Sequence, residues 1–126
     1  MTKPALLIVD DDPLLLDLVR EFLTRALTDV EVETTGSPKT ALHRATSHQY
    51  VAVVTDVTMP GMSGLELASK IHGVRPDTPI VFMSGTAHAL EHCRPQAFAC
   101  LSKPFDLETF VDTVRAAVAS YPFQRA

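Results

Sequence analysis

Three short runs of wholly apolar residues punctuate this chain: Ala5-Leu6-Leu7-Ile8-Val9, Val51-Ala52-Val53-Val54 and Ile80-Val81-Phe82-Met83. A strand with one wet face alternates apolar and polar side chains. A run without that alternation needs cover on both faces, which is the situation of a parallel strand flanked by helices. Val30-Glu31-Val32-Glu33-Thr34 does alternate, as an edge or half-exposed strand would, and Phe98-Ala99-Cys100-Leu101 is a fifth candidate.

Helix signals fall between these runs. Asp12-Pro13 and Ser37-Pro38 each pair a capping side chain with a proline at the first helical position, where its missing N–H costs nothing. Leu15, Leu18, Val19, Phe22, Leu23 and Ala26 are expected to form the inward stripe of the first helix, and Ala41, Leu42 and Ala45 that of the second. Ser63 and Glu66 read as a capping box ahead of Leu65, Leu67, Ala68 and Ile71. Asp106 caps a last helix with Leu107, Phe110, Val111, Val114 and Val118 facing inward. The segment from His88 to Gln96, interrupted by Pro95, leaves room only for a short or irregular fourth helix. Strand and helix alternate five times with short joints, so an α/β fold with right-handed crossovers and a parallel sheet covered on both faces is expected.

The 126 residues suit one domain, 1–126, with no internal linker or repeat. A net charge of −4 argues against nucleic-acid binding or a polybasic membrane contact. No apolar run approaches the roughly 20 residues needed to span a bilayer. The start, Met1-Thr2-Lys3-Pro4, leads into an apolar run too short for a signal peptide, so a cytoplasmic location is expected. Cys93 and Cys100 have no metal-ligand spacing, and His88 with His92 lacks a third ligand.

Ligands of open parallel sheets gather at the carboxyl ends of the strands. Here those ends carry Asp10-Asp11-Asp12, Thr55-Asp56, Ser84-Gly85-Thr86 and Ser102-Lys103-Pro104. Clustered carboxylates repel unless a hard cation sits among their oxygens, and Mg²⁺ prefers few carboxylates completed by water and phosphate oxygens. A lysine and a hydroxyl opposite the cation can meet the remaining phosphoryl oxygens. Such a set suits phosphoryl transfer, and an Asp can itself be the acceptor. Asp10, Asp11 and Asp56 against Lys103 leave a balance of −2, half the net charge of the chain.

Leu7-Ile8-Val9-Asp10-Asp11-Asp12, the stretch Asp56-Val57-Thr58-Met59-Pro60-Gly61-Met62-Ser63-Gly64-Leu65-Glu66-Leu67, Met83-Ser84-Gly85 and Ser102-Lys103-Pro104-Phe105 together resemble a bacterial response-regulator receiver domain, of the kind seen in chemotaxis regulators. The resemblance runs through essentially the whole chain. It implies a flavodoxin-like sheet of strand order 2-1-3-4-5 and a signalling role without enzymatic turnover. It implies Asp56 as phosphoacceptor and Mg²⁺, with Mn²⁺ as an alternative, held by Asp10, Asp11, Asp56 and the backbone carbonyl of Thr58. Asp11 and Asp56 are the expected direct ligands. Ser84 and Lys103 would bind the phosphoryl group, Pro104 would follow a cis peptide, Gly85 would leave access, and Thr58 and Thr86 would tune hydrolysis. A histidine kinase or histidine phosphotransfer protein is the implied donor, and a downstream protein or an output domain elsewhere the implied receiver of the signal. The sequence ends at Tyr121-Pro122-Phe123-Gln124-Arg125-Ala126, just after the last helix, and either a stand-alone regulator or a receiver from a longer regulator or hybrid kinase is expected.

One departure stands out. Three residues before the lysine, where the family commonly has a switching Tyr or Phe, this chain has Cys100, with Phe98 nearby but out of position. It leaves open a receiver-like interaction module that phosphorylation does not switch; separately, the two-residue spacing of Asp10 and Asp12 after the first strand leaves open a haloacid-dehalogenase-like phosphatase.

Overall fold

The computed structural model describes residues 3–122. Residues 1–2 and 123–126, on which the readings of the two chain ends partly rest, lie outside them. Five parallel strands, β1 (Ala5–Val9), β2 (Glu31–Thr35), β3 (Ala52–Asp56), β4 (Ile80–Ser84) and β5 (Ala99–Ser102), form one sheet in the order β2-β1-β3-β4-β5. Helices α1 (Pro13–Ala26), α2 (Pro38–Ser47), α3 (Gly64–Val74), α4 (Ala87–Cys93) and α5 (Leu107–Ser120) connect and cover it. The fourth helix is short, as expected, and runs into a 3-10 turn at Arg94–Gln96.

The two cores explain the unbroken apolar runs. Successive strand side chains point to opposite faces. Leu6, Ile8, Val54, Val81 and Met83 pack against Val19, Leu23, Phe110 and Val114 of α1 and α5. Leu7, Val9, Val53 and Phe82 face Ala41, Ala45, Leu67, Ile71 and Leu90 of α2, α3 and α4. With both faces dry, both parities of β1, β3 and β4 are apolar until the carboxyl ends, where Thr55, Asp56 and Ser84 are buried. β2, at the edge, keeps Glu31 exposed and Val32 buried.

Helix starts follow their capping chemistry. Asp12 accepts from the N–H groups of Leu14 and Leu15, Ser37 from Thr40, and Asp106 from Thr109. Ser63 accepts from the Glu66 N–H, but the Glu66 carboxylate turns to Lys70 at 3.2 Å, so only half of the capping box forms. The phase of α1 also differs from expectation. Its buried residues are Leu16, Val19 and Leu23, while Leu18 and Phe22 stand 44% and 43% exposed and Leu14 80%. Leucine at 14, 15 and 16 gives the helix two candidate stripes, and the position of the sheet selects one.

Candidate functional site

The strand register brings four loops level at one edge of the sheet. Val9 pairs with Thr55, Asp56 with Met83, and Ser84 with Ser102, so Asp10–Asp12, Asp56, Ser84 and Lys103 all emerge at the carboxyl ends. Between β1 and β3 the strand order reverses, the place where doubly wound sheets open a crevice.

Asp10, Asp11 and Asp56 each turn a carboxylate oxygen inward, all within 4.8 Å of one another. Asp10 is 1% exposed and Asp56 8%, while Asp11 is open to solvent. Lys103 Nζ donates to Asp10 Oδ2 at 2.8 Å and lies 3.5 Å from Asp56 Oδ2. The other oxygen of Asp10 accepts from the Asp12 N–H at 2.9 Å. Burial, above all, raises the Asp56 carboxyl above its ordinary value. The Lys103 charge opposes this, the Asp10 charge reinforces it, and the Thr58 backbone N–H bond opposes it again without cancelling it. Burial works against the Lys103 ammonium, but its bond to Asp10 and the charges of Asp10 and Asp56 outweigh that and raise its pKa. One ammonium among three carboxylates leaves a negative pocket.

The backbone around Asp56 is tightly set. Gly64, the first residue of α3, lies against it: a Cβ there would overlap the Asp56 carbonyl oxygen and stand 3.0 Å from its carbonyl carbon. Its N–H donates to the Val57 carbonyl at 2.8 Å, folding the β3–α3 loop back over the strand end. Gly61 supplies the turn with φ of +87°. Met59 is buried and Met62 packs beside it, as loop packing.

The remaining expected residues take flanking places. Ser84 is buried at the end of β4, and its Oγ accepts from the Thr86 N–H at 3.0 Å. Thr58 and Thr86 are exposed at the rim. No atom lies within 4 Å of where a Cβ of Gly85 would stand, so space beside the pocket is open. The Lys103–Pro104 peptide is cis. Cys100 sits apart from the acidic trio, its Sγ 3.9 Å from the Leu90 carbonyl oxygen and packed toward α4. Phe98 precedes β5 and is exposed. Asp12 is occupied as the α1 cap. What the sequence reading missed is an apolar surface beside the pocket. Leu14, Leu18 and Phe22 line one side of α1, and a groove of about 460 Å³ runs between Leu15, Leu18, Pro104, Phe105 and Leu107 up to Lys103. The four-residue spacing of those three residues was the available signal.

A doubly wound parallel sheet with an acidic trio and a lysine at its switch point defines a regulatory domain with a pocket of the phosphoryl-accepting type. The chain belongs to the response regulator receiver domain family, whose model matches residues 6–115. It is 36% identical over 125 residues to the DNA-binding transcriptional regulator NtrC of Azospirillum brasilense, covering 95% of this chain and 25% of that protein. It is 30% identical over 119 residues to the C4-dicarboxylate transport regulator DctD of Pseudomonas aeruginosa, again over 25% of the relative. The chain thus spans about a quarter of the length of these curated relatives. Among solved structures, the response regulator TrrA of Thermotoga maritima, in complex with Mg²⁺ and BeF, superposes with a TM-score of 0.81 at 28% identity, covering 90% of this chain and 98% of that one. A CheY-like receiver from Methanospirillum hungatei, 21% identical, shares the fold with a TM-score of 0.84 over 98% of this chain and 99% of its own.

Proposed function

We propose that Asp56 accepts a phosphoryl group from a phosphohistidine of a histidine kinase or phosphotransfer protein, and that the product acylphosphate signals to a partner protein or an attached output domain. A carboxylate oxygen of Asp56 attacks phosphorus; the P–N bond breaks as the P–O bond forms, and imidazole leaves. The observation that carries this reading is the pairing of a buried Asp56 with Lys103 Nζ, 3.5 Å away, beside two further carboxylates.

Lys103 neutralises charge on the incoming phosphoryl oxygens, moving part of its interaction from Asp10 to the new group. Ser84 donates its hydroxyl proton to the same group, since its Oγ already accepts from Thr86. Thr58 and Thr86, exposed at the rim, set the approach of hydrolytic water. The donor set suits a hard divalent cation: three carboxylate oxygens converge within 4.8 Å of one another, with one ammonium, Lys103, among them. Asp11, Asp56 and the Thr58 carbonyl would hold Mg²⁺ directly, with Asp10 beside them. When bound, Mg²⁺ neutralises the carboxylates and orients the phosphoryl oxygens.

The apolar ridge of Leu14, Leu18 and Phe22 and the groove that shares Leu18 with it and Lys103 with the pocket suit docking of the helix that carries the donor histidine. The domain works in the cytoplasm beside its donor; among the described residues no helix is long and apolar enough to cross a membrane.

Incubation with acetyl phosphate and Mg²⁺ followed by intact-mass measurement tests the assignment: wild type gains one acid-stable, hydroxylamine-labile phosphoryl group and Asp56→Asn gains none. Label on Asp10 would instead support the phosphatase reading. The small Cys100 packed against α4 keeps one rival specific, an interaction module that phosphorylation does not switch. Backbone chemical shifts with Mg²⁺ and beryllofluoride decide: changes reaching α4, β5 and α5 support switching, and changes confined to the pocket support the rival.

A further inference from the structure

His88 and His92 lie one turn apart on α4, both exposed, with Nε2 atoms 3.3 Å from each other, ring centroids 4.7 Å apart and planes at 89°. The buried side of the same helix is Leu90 and Cys93, and Glu91 is engaged by Arg94 at 2.8 Å. The two nitrogens, on one exposed face at i and i+4, share a hydrogen bond; with the bridging proton moved to an outer ring nitrogen or to solvent, both can face one ion as a bidentate pair. The spacing fits a particular chemistry. With Zn–N bonds of about 2.0–2.1 Å and a tetrahedral angle, two ligand nitrogens stand about 3.3–3.4 Å apart.

We propose that His88 and His92 form a chelating site on α4 for a first-row transition-metal dication of the Zn²⁺ class. Imidazole suits Zn²⁺, Cu²⁺ and Ni²⁺, whereas Mg²⁺ takes oxygen ligands, so this site and the acidic pocket draw on different cations. Among the described residues the acidic trio is the one group of three or more His, Cys, Asp or Glu ligands that converges. Water therefore completes the coordination at the histidine pair. Chelation across one turn requires helical geometry, so the ion binds the folded helix and not the unfolded one. That matters for a helix of seven residues whose N-cap, Thr86, makes no side-chain capping bond. Bound metal stabilises α4 by mass action. The inference stands on the geometry of the histidines and is independent of the role proposed for Asp56.

The test titrates the 126-residue chain with Zn²⁺ by calorimetry in saturating Mg²⁺, alongside His88→Gln, His92→Gln and the double variant, with far-UV circular dichroism as the folding control. One Zn²⁺ per chain is expected, and each single substitution weakens binding by at least about tenfold, the effect that loss of even an outer-shell partner produces. Substoichiometric Cu²⁺ should broaden the amide resonances of Ala87 to Arg94 first, a readout that needs no variant. Unchanged Zn²⁺ affinity in the double variant overturns the proposal. So does broadening centred on Asp10, Asp11 and Asp56, or a thiolate-to-metal charge-transfer band in the Co²⁺ complex, which would hand the ligand role to Cys93 or Cys100.

Discussion

Gly64→Ala and Gly73→Ala make the same chemical change in the same helix, and opposite outcomes are expected. At Gly64 the added methyl meets backbone: it overlaps the Asp56 carbonyl oxygen and stands 3.0 Å from the Asp56 carbonyl carbon and 3.1 Å from Val57 Cα. No rotamer change relieves a backbone clash, so the start of α3 must move away from the end of β3. Overpacking of this kind costs about 1–3 kcal/mol. Loss of the bond from the Gly64 N–H to the Val57 carbonyl, 2.8 Å long, adds roughly 1 kcal/mol. Better helix propensity returns at most about 1 kcal/mol, leaving a net loss of about 2 kcal/mol, or roughly 6–10 °C in Tm for a domain of this length. At Gly73 nothing lies within 4 Å of the new atom, so only the propensity gain of up to about 1 kcal/mol remains. Urea denaturation followed by circular dichroism measures both. Because the moved backbone belongs to Asp56, Mg²⁺ affinity by calorimetry should fall for Gly64→Ala and stay at the wild-type value for Gly73→Ala. A Gly64→Ala protein as stable as wild type would refute the packing argument.

Other outcomes follow from the same pocket. The Asp56 carboxyl is raised in the folded state, so from its ordinary value of 3.8 upward the folded form holds more proton than the unfolded one. Stability is therefore lost as pH rises through the raised value. Asp56→Asn removes that penalty and should be more stable than wild type at pH 7 by urea denaturation, the difference shrinking as pH falls toward the carboxylate range. Mg²⁺ at ten times its Kd should stabilise wild type by about 1.4 kcal/mol; chelation with EDTA reverses this, and Asp11→Asn shows little of it. Leu18→Asp or Phe22→Asp should slow phosphoryl transfer from a phosphohistidine donor at least roughly tenfold, as loss of a docking anchor does, while labelling by acetyl phosphate stays at the wild-type rate. Equal slowing with both donors would mean that these residues serve the pocket itself.

Much of the site was legible because its residues follow strands whose patterns are unambiguous. The runs ending at Val9, Val54 and Met83 could only be two-sided strands, so Asp10, Asp56 and Ser84 had to emerge at one edge. The α1 phase was not legible. Leu14, Leu15, Leu16 and Leu18 satisfy two helical stripes equally, and burial of Leu16, Val19 and Leu23 reflects where the sheet lies. The four-residue spacing of His88 and His92 was visible, but their 3.3 Å approach depends on the rotamers that a short exposed helix permits.

The chain's own pattern determined the alternation of strands and helices, the caps at Asp12, Ser37, Ser63 and Asp106, and the chemical identity of each group at the sheet edge. These are local properties, set by period, capping and φ preference within a few residues. The tertiary structure decided what those groups do to one another. Lys103 reaches Asp10 across 93 positions of sequence, Asp56 acquires its raised pKa from burial and neighbours on other strands, and Gly64 is required because a helix start folds back onto a strand end. Desolvation and charge–charge interaction depend on distances through space, and spacing along the chain carries those only after the strands have paired.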